Sequence, residues 1–277
     1  MGDPFPLVAG RGLARLREAG IRVDLLPPDD PLAVAARELN IGFFSRVLRD
    51  RPWVRVKVAA SLDGRTALPD GRSQWITGPA ARADGHAWRR RAGAILTGIG
   101  TVQGDDPRLD VRHVPTARPP ARVVVDSRLR TPVGARLFDA PGELIVATLA
   151  GAPPGHAAAL AARGAEVLRL PAGGDGRVDL AALLQALAAR GVNELHVEAG
   201  RALNGALQAG GWVDEWLVYL APMLLGPGLD LAALPPLAAL DDAPRMRFVD
   251  ATPVGDDLRL RVRLPGREDF GPGPGAA

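Results

Sequence analysis

Apolar residues between 53 and 264 alternate between strand-like and helix-like spacing. Short apolar runs predict buried strands, and the segments between them have apolar residues every three or four positions. The strands predicted in this way are 54–60, 94–97, 123–125, 144–146, 165–170, 195–197 and 216–220, followed by a hairpin of 247–251 and 258–264. This order predicts an α/β fold: a mostly parallel central sheet with an antiparallel C-terminal hairpin and helices on both faces.

Several helices are predicted from capping residues as well as from spacing. Asp179 is an N-cap signal, leucines recur behind it at helical spacing, and Gly191 ends the helix. Thr77 is predicted to cap an earlier helix that carries proline in its first turn. A further helix, 201–209, directly follows the strand 195–197.

The chain is predicted to have three parts. Residues 1–50 form an appendage with a first helix, a strand over 21–23 and a second helix that continues from Pro31 to Phe43. Residues 51–265 form the main domain, and the Gly- and Pro-rich segment 266–277 is predicted to be disordered.

Composition narrows the class of protein. Hydrophobic residues make up 47% of the 277, which excludes a mainly disordered chain, and the chain contains no apolar run of the roughly 18 residues that span a bilayer. The beginning lacks a secretory pattern, so a cytoplasmic protein is expected. The absence of cysteine excludes disulfides, thiolate catalysis and cysteine-bound zinc, and no metal site is predicted. The net charge of +3 without a basic tract argues against nucleic-acid binding, and Lys57 is the only lysine.

The strand 94–97 is followed by an unusual polar segment. It contains Gly98, Gly100 and Gly104, and then Asp105 and Asp106. Glycines at the carboxyl end of a strand let the backbone approach a ligand closely. The spacing G-x-G-x-x-x-G differs from the dinucleotide fingerprint, so a tight turn with solvated acids is the alternative.

A second strand end has a similar character. Glu198 and Gly200 follow the strand 195–197, and a helix begins at once. Unpaired amides at the start of that helix would favour a pyrophosphate, and Gly205 leaves room for a bulky ligand or for a closely packed strand. An ordinary strand-to-helix connection is the alternative.

Arginines suggest where anions bind. Ser127 and Arg128 follow the strand 123–125, and a guanidinium at that place suits the 2′-phosphate of NADP; a solvated basic loop is the alternative. Arg89, Arg90 and Arg91 form a run on the helix that Thr77 is predicted to cap. Most of this run is expected to be solvated, with one member directed to a substrate phosphate.

Four motifs in register resemble the reductase domain of the bifunctional riboflavin biosynthesis protein. They are 57–67 (KVAASLDGRTA), 73–77 (SQWIT), 98–109 (GIGTVQGDDPRL) and 197–200 (VEAG), and the resemblance extends from about residue 53 to 264. It implies a dihydrofolate-reductase-like fold, a homodimer, and NADPH as the coenzyme. The implied reaction reduces the ribosyl group of 5-amino-6-(5-phosphoribosylamino)uracil, a phosphorylated pyrimidine, to the ribityl form.

The resemblance also implies roles for individual residues. It places near NADPH the residues Ala59, Trp75, Thr101, Asp105, Ser127, Gly200, Arg201, Ala202, Leu203, Asn204, Gly205 and Ala206. It places near the substrate the residues Ser73, Arg89, Leu109, Arg112 and Glu198. Asp105 and Glu198 are the acidic candidates for supplying the proton of the reaction, and a water molecule is the alternative.

The chain departs from the family at a few places. Gly104 stands where alanine is usual and Ala199 where a second glycine is common, so a slightly altered turn is expected. Residues 3–21 resemble the last stretch of the family's deaminase domain, but the H-x-E and P-C-x-x-C segments that hold its zinc are absent. We therefore expect a remnant of that domain, left either in a gene for the reductase alone or by a late start. A separate deaminase is then a candidate partner.

Other functions remain open from the sequence. A reductase of the same fold could act on the undeaminated diaminopyrimidinone or on another pterin or nucleotide-like compound. A protein of a different class would bind nucleotide without catalysis and support a separate deaminase. The motifs favour the reductase, because a binding protein does not need a complete hydride-transfer site.

Overall fold

A computed structural model describes residues 3–5, 7–8 and 10–270. The strands are β1 Trp53–Ser61, β2 Arg65–Ala67, β3 Ala94–Gly98, β4 Ala121–Val125, β5 Leu144–Leu149, β6 Ala165–Leu170, β7 Glu194–Val197, β8 Glu215–Ala221, β9 Leu229–Asp230, β10 Arg247–Val254 and β11 Asp257–Arg263. The helices are α1 Arg11–Glu18, α2 Pro31–Leu39, α3 Ile41–Arg49, α4 Pro79–Arg91, α5 Ile99–Asp105, α6 Pro154–Ala162, α7 Leu180–Ala189 and α8 Arg201–Ala209.

One nine-stranded sheet organises the main domain. Its order is β10-β11-β8-β1-β7-β3-β4-β5-β6. The strands from β8 to β6 pair in parallel, whereas β11 pairs antiparallel with β8 and β10 with β11. β7 lies between β1 and β3 although it comes after both in the chain. The predicted α/β class, with a mostly parallel sheet and an antiparallel C-terminal hairpin, is confirmed.

Helices cover both faces of this sheet. Ile95 and Leu96 are neighbours on β3, and because successive side chains of a strand point to opposite faces, they enter different hydrophobic clusters. The Leu96 cluster contains leucines of α7 and Leu207 of α8. The Ile95 cluster contains Val102 of α5 and a leucine of α6. Among the described residues, no helix is long and apolar enough to span a membrane.

The structure corrects parts of the predicted helices. Gly100 and Gly104 lie within α5, so the segment after β3 is a short helix and not a tight turn. Gly78, not Thr77, is the N-cap of α4, and its amide donates to the carboxylate of Asp257 at 2.8 Å. Asp179 caps α7 as predicted, accepting from two backbone amides of its first turn.

The appendage also differs from its prediction. Residues 21–23 do not form a strand, and the helix expected from Pro31 to Phe43 is divided at Asn40. The side chain of Asn40 donates to the carbonyl of Ala36 at 2.9 Å and so ends α2. The next helix then approaches β7 so closely that a Cβ on Gly42 would lie 2.5 Å from the Glu194 side chain. Packing on the sheet therefore overrides the continuous helical pattern.

The C-terminal segment is packed where disorder was predicted. The ring of Phe270 lies 5.5 Å from that of Phe44 and 6.4 Å from that of Trp53, centroid to centroid. Arg267 donates to the carbonyl of Gly211 at 2.8 Å. Residues 266–270 thus cover the start of β1, while residues 271–277 of the predicted tail lie outside the described residues.

A buried ionic cluster joins the appendage to the sheet. Arg55 of β1 is 1% exposed and lies between Glu215 of β8 and Glu194 of β7, donating to the latter at 2.7 Å. Arg263 of β11 donates to Glu215 at 2.7 Å and to Glu38 of α2 at 2.8 Å. Burial by itself would raise the pKa of Glu215, but its arginine partners outweigh burial and hold the pKa below the usual range.

Replacing Glu215 with glutamine should lower the free energy of unfolding by about 3–5 kcal/mol, because it removes one of the two carboxylates that compensate each of the buried Arg55 and Arg263. A urea titration near pH 7 measures this. The lowered pKa means that the stabilisation by Glu215 is complete above its ordinary pKa of 4.5 and is lost as the pH falls below that value, so the difference between wild type and variant should shrink in acid.

The matched control is Glu166→Gln, which breaks a half-exposed pair with Arg190 and should cost less than about 1 kcal/mol. Equal losses in the two variants would show that the buried cluster has no special role.

Candidate functional site

A large cleft lies at the carboxyl ends of the parallel strands. Its volume is about 1860 Å³. Of the residues predicted for the site, it is lined by Ala59, Ser73, Trp75, Arg89, Thr101, Asp105, Leu109, Arg112, Ser127, Glu198, Gly200, Arg201, Ala202, Leu203, Asn204 and Ala206. Only Gly205 of the predicted set does not line it. Open α/β sheets bind ligands at the carboxyl ends of their strands, and the predicted residues lie together at this edge.

Two glycine-capped helices begin side by side in this cleft. Gly98 precedes α5 and Gly200 precedes α8, and neither helix start has a side-chain cap. A Cβ on Gly200 would lie 3.9 Å from Oγ1 of Thr101, and a Cβ on Gly98 would lie 3.5 Å from the side chain of Leu203. The first amides of both helices are thus left without a side-chain acceptor, as anion binding requires.

Gly205 has a structural role instead of a ligand-binding one. A Cβ at this position would lie 2.2 Å from the carbonyl oxygen of Ala233. Of the two roles considered for Gly205, room for a closely packed backbone is the one observed. Asn204 is also buried, and its amide nitrogen donates to the carbonyls of Ala199 and Leu231 at 3.2 and 2.9 Å. These contacts fasten the start of α8 to the loop that follows β9.

The segment between α5 and β4 combines lining residues with backbone strain. Asp106, Leu109 and His113 have φ values of 41°, 50° and 66°, in the left-handed region that non-glycine residues rarely adopt. Leu109 has its side chain in a hydrophobic cluster and is 3% exposed. Strain of this kind concentrates at ligand sites, where the surrounding packing holds it.

Arg89 and Glu198 form the central ion pair of the cleft. Nε and Nη2 of Arg89 donate to the two carboxylate oxygens at 2.5 and 2.7 Å, and Nη1 donates to the carbonyl of Asp110 at 2.8 Å. Burial would raise the pKa of Glu198, but the charge and hydrogen bonds of Arg89 hold it well below the usual range. Glu198 is therefore ionised at neutral pH and acts as an acceptor, which removes it as a proton donor.

A second basic group lies beside this pair. Arg112 is half exposed, and its side chain is bound to the carboxylate of Asp110. The backbone amide of Arg112 donates to Nδ1 of His86 at 3.0 Å. Burial, and then the charges of Arg89 and Arg112, lower the pKa of His86 to about 4. His86 is thus neutral at pH 7 and positions the segment as a hydrogen-bond acceptor.

Lys57 lines the cleft and was missing from the predicted site residues. It lies on β1, its ammonium group is 5.7 Å from the ring centroid of Tyr219, and burial lowers its pKa although Glu198 opposes that shift. Two signals in the sequence could have identified it. Lys57 is the only lysine of the chain, and it begins the first family motif.

Three further predicted residues, Trp75, Asp105 and Ser127, line the cleft. Trp75 is 68% exposed and its ring contacts the guanidinium of Arg82 at 4.6 Å. Asp105, at the end of α5, has its pKa raised by burial. Oγ of Ser127 accepts from the amide of Val178 at 3.0 Å. No group of three histidines and carboxylates that could hold a metal ion is present in the described part of the chain.

The donor set of the cleft fits a phosphorylated dinucleotide. Two uncapped helix starts face it, and so do arginines that pair with few carboxylates, including Arg128, Arg130 and Arg201. A volume of about 1860 Å³ leaves room for a second ligand beside the nucleotide.

The fold and the cleft define an α/β protein with a large, arginine-lined cleft at the carboxyl ends of its parallel strands. Comparison with known families makes the assignment specific, because residues 52–260 match the RibD C-terminal domain. The chain belongs to this family, which confirms the resemblance seen in the motifs. It is 39% identical over 275 residues to the riboflavin biosynthesis protein RibD of Escherichia coli, covering 95% of this chain and 72% of that protein.

Solved structures agree with this assignment. Acinetobacter baumannii RibD superposes with a TM-score of 0.81 at 35% identity, covering 95% of this chain and 70% of that one. A Thermotoga maritima protein described as a diaminohydroxyphosphoribosylaminopyrimidine deaminase/5-amino-6-(5-phosphoribosylamino)uracil reductase gives 0.77 at 26% identity, covering 95% and 69%. The chain therefore spans about 70% of the length of these relatives. Because 95% of the chain is matched, the match includes most of the appendage.

Exchanging Gly205 for alanine should destabilise the protein by about 1–3 kcal/mol, because the new methyl group overlaps the Ala233 backbone. Gly104→Ala is the control: nothing lies within 4 Å of its Cβ position, and alanine in a helix should stabilise by up to about 1 kcal/mol. Thermal unfolding of both variants checks this. If Gly205→Ala unfolded at the wild-type temperature, the close packing at α8 would be refuted.

Proposed function

We propose that this protein is the reductase of riboflavin biosynthesis that converts 5-amino-6-(5-phosphoribosylamino)uracil to the ribityl compound with NADPH. The observation that carries the proposal is the single cleft in which glycine-capped helix starts face Lys57, Arg112 and the Arg89–Glu198 pair. This arrangement offers sites for a dinucleotide and for a second phosphorylated ligand side by side. We further expect the enzyme to be a cytoplasmic homodimer.

The substrate end of the cleft is assigned to Arg112, Arg89 and Glu198. Arg112 is half exposed and binds the 5′-phosphate, since guanidinium pairs well with phosphate oxygens. Arg89 has three of its five N–H groups bound to the protein and keeps two for the substrate. Glu198, held ionised by Arg89, accepts hydrogen bonds from sugar hydroxyls or from the pyrimidine N–H groups.

A proton is required when the ribosyl ring opens to the imine that is then reduced at C1′. Reduced nicotinamide, when bound, supplies the hydride. Lys57 is assigned as the donor of the proton to the ring oxygen, because it lines the cleft and burial lowers its pKa, which makes the ammonium group a stronger acid. Asp105 is the second candidate, since burial raises its pKa.

The direct test is loss of NADPH absorbance on adding the phosphoribosylaminouracil, with NADH and the undeaminated diaminopyrimidinone as parallel arms. Oxidation with the uracil compound at a higher kcat/KM than with the diaminopyrimidinone is the expected result. A higher kcat/KM with the diaminopyrimidinone would indicate that reduction precedes deamination in the pathway. Binding of both ligands without any oxidation would identify a non-catalytic partner and end the proposal.

The variant Arg112→Ala should raise the substrate KM at least about 10-fold through loss of a charge-assisted contact, and leave the affinity for NADPH nearly unchanged. Arg90→Ala, on the exposed side of α4, is the control and should leave both parameters at wild-type values. Initial-rate kinetics with each ligand varied in turn separate the two effects. If Arg112→Ala kept the wild-type KM, the phosphate would have to bind elsewhere.

The variant Lys57→Met should lower kcat by roughly 10²–10⁴-fold while the protein stays folded and binds NADPH, because it removes the acid but keeps an unbranched apolar stem. Lys57→Arg should not restore activity, since a guanidinium does not release its proton. The wild-type kcat should fall as the pH rises through the Lys57 pKa, which lies below the ordinary 10.5. A Lys57→Met enzyme with normal kcat would transfer the role to Asp105 or to water.

A further inference from the structure

The hairpin between β6 and α7 forms part of the wall of the cleft through residues 173–178. Residues 171–178 turn back on themselves through a bridge between Ala172 and Val178. The amide of Gly173 donates to the carbonyl of Arg177 at 2.7 Å. The amide of Asp179 donates to Pro171 at 3.0 Å, so the hairpin is closed at its base as well.

One hydrogen bond joins this hairpin to the end of β4. The amide of Val178 donates to Oγ of Ser127 at 3.0 Å. Arg128 follows Ser127 and Arg177 precedes Val178 in the chain, so this bond joins the two backbone segments that carry these arginines. Both arginines line the cleft and both are exposed.

The charges at this place are mostly uncompensated. Among the cleft-lining residues in 127–130 and 173–180, the acidic ones are Asp175 and Asp179. Asp175 lies 3.8 Å from Nε of Arg177 in a solvent-exposed pair, which contributes little. The carboxylate of Asp179 accepts from the amides of Ala181 and Ala182 and caps α7, so it does not pair with Arg177.

We propose that Arg177 and Arg128 form a clamp for the 2′-phosphate of the coenzyme, so that the hairpin 171–178 determines the preference for NADP over NAD. The inference rests on the proposed dinucleotide site. Two guanidinium groups match the oxygens of a phosphate monoester, and the Ser127 hydroxyl, which accepts from Val178, keeps its own hydrogen to donate. A ribose without the 2′-phosphate would leave both guanidinium groups without an anion.

The experiment compares two fragments, 2′,5′-ADP and 5′-AMP, by calorimetric titration. Wild type should bind 2′,5′-ADP more tightly than 5′-AMP. Arg177→Ala and Arg128→Ala should each weaken 2′,5′-ADP binding by roughly 10- to 100-fold and leave 5′-AMP binding within about two-fold. Arg90→Ala, which does not line the cleft, is the matched control and should change neither affinity.

Steady-state kinetics with the two coenzymes provide a second test. The ratio of kcat/KM for NADPH to that for NADH should fall in Arg177→Ala by the same factor as the 2′,5′-ADP affinity. Equal binding of the two fragments by the wild type would overturn the clamp, and so would an Arg177→Ala variant that retains the wild-type preference. Preferential 2′,5′-ADP binding without reduction of the pyrimidine would sustain the clamp and defeat only the proposed reaction.

Discussion

The position of β7 between β1 and β3 is the constraint on which the site depends. Parallel pairing on both sides of β7 brings its carboxyl end, with Glu198 and Gly200, between the ends of the two flanking strands. Lys57 on β1 and Gly98 on β3 are thereby brought near Glu198 and Gly200, which lie far later in the chain. The alternation of side chains along β1 and β7 directs Lys57 and Glu198 to the same face, the one that α4 covers with Arg89.

The pairing of charged side chains differs between the amino and the carboxyl ends of the parallel strands. At the start of β1, buried arginines and glutamates are matched and lie between strands, where they hold α2 and the C-terminal hairpin against the sheet. At the opposite edge, arginines outnumber the carboxylates that pair with them, and two helices begin without side-chain caps. The first arrangement stabilises a fold. The second arrangement leaves hydrogen-bond donors without partners, and an anionic ligand can accept from them.

Local sequence signals predicted much of this architecture. The strands and the helices α7 and α8 follow from apolar spacing and caps, because these patterns persist wherever the element packs. Nearly all site residues that were predicted from the family motifs line one cleft, and Gly205 is the exception. Predictions that failed concern segments whose conformation is set by distant contacts: the break at Asn40, the packed Phe270, and the helix that contains Gly100.

By itself, the sequence determined the fold class, the family and the set of residues at the strand ends, because periodicity and motif spacing are properties of the chain alone. Only the tertiary structure decided which of those residues act together. It pairs Arg89 with Glu198, places Lys57 where burial lowers its pKa, and joins the segment of Arg177 to that of Arg128 through the hydrogen bond between Val178 and Ser127. Such partnerships join distant segments, and their protonation states depend on burial, which no local pattern encodes.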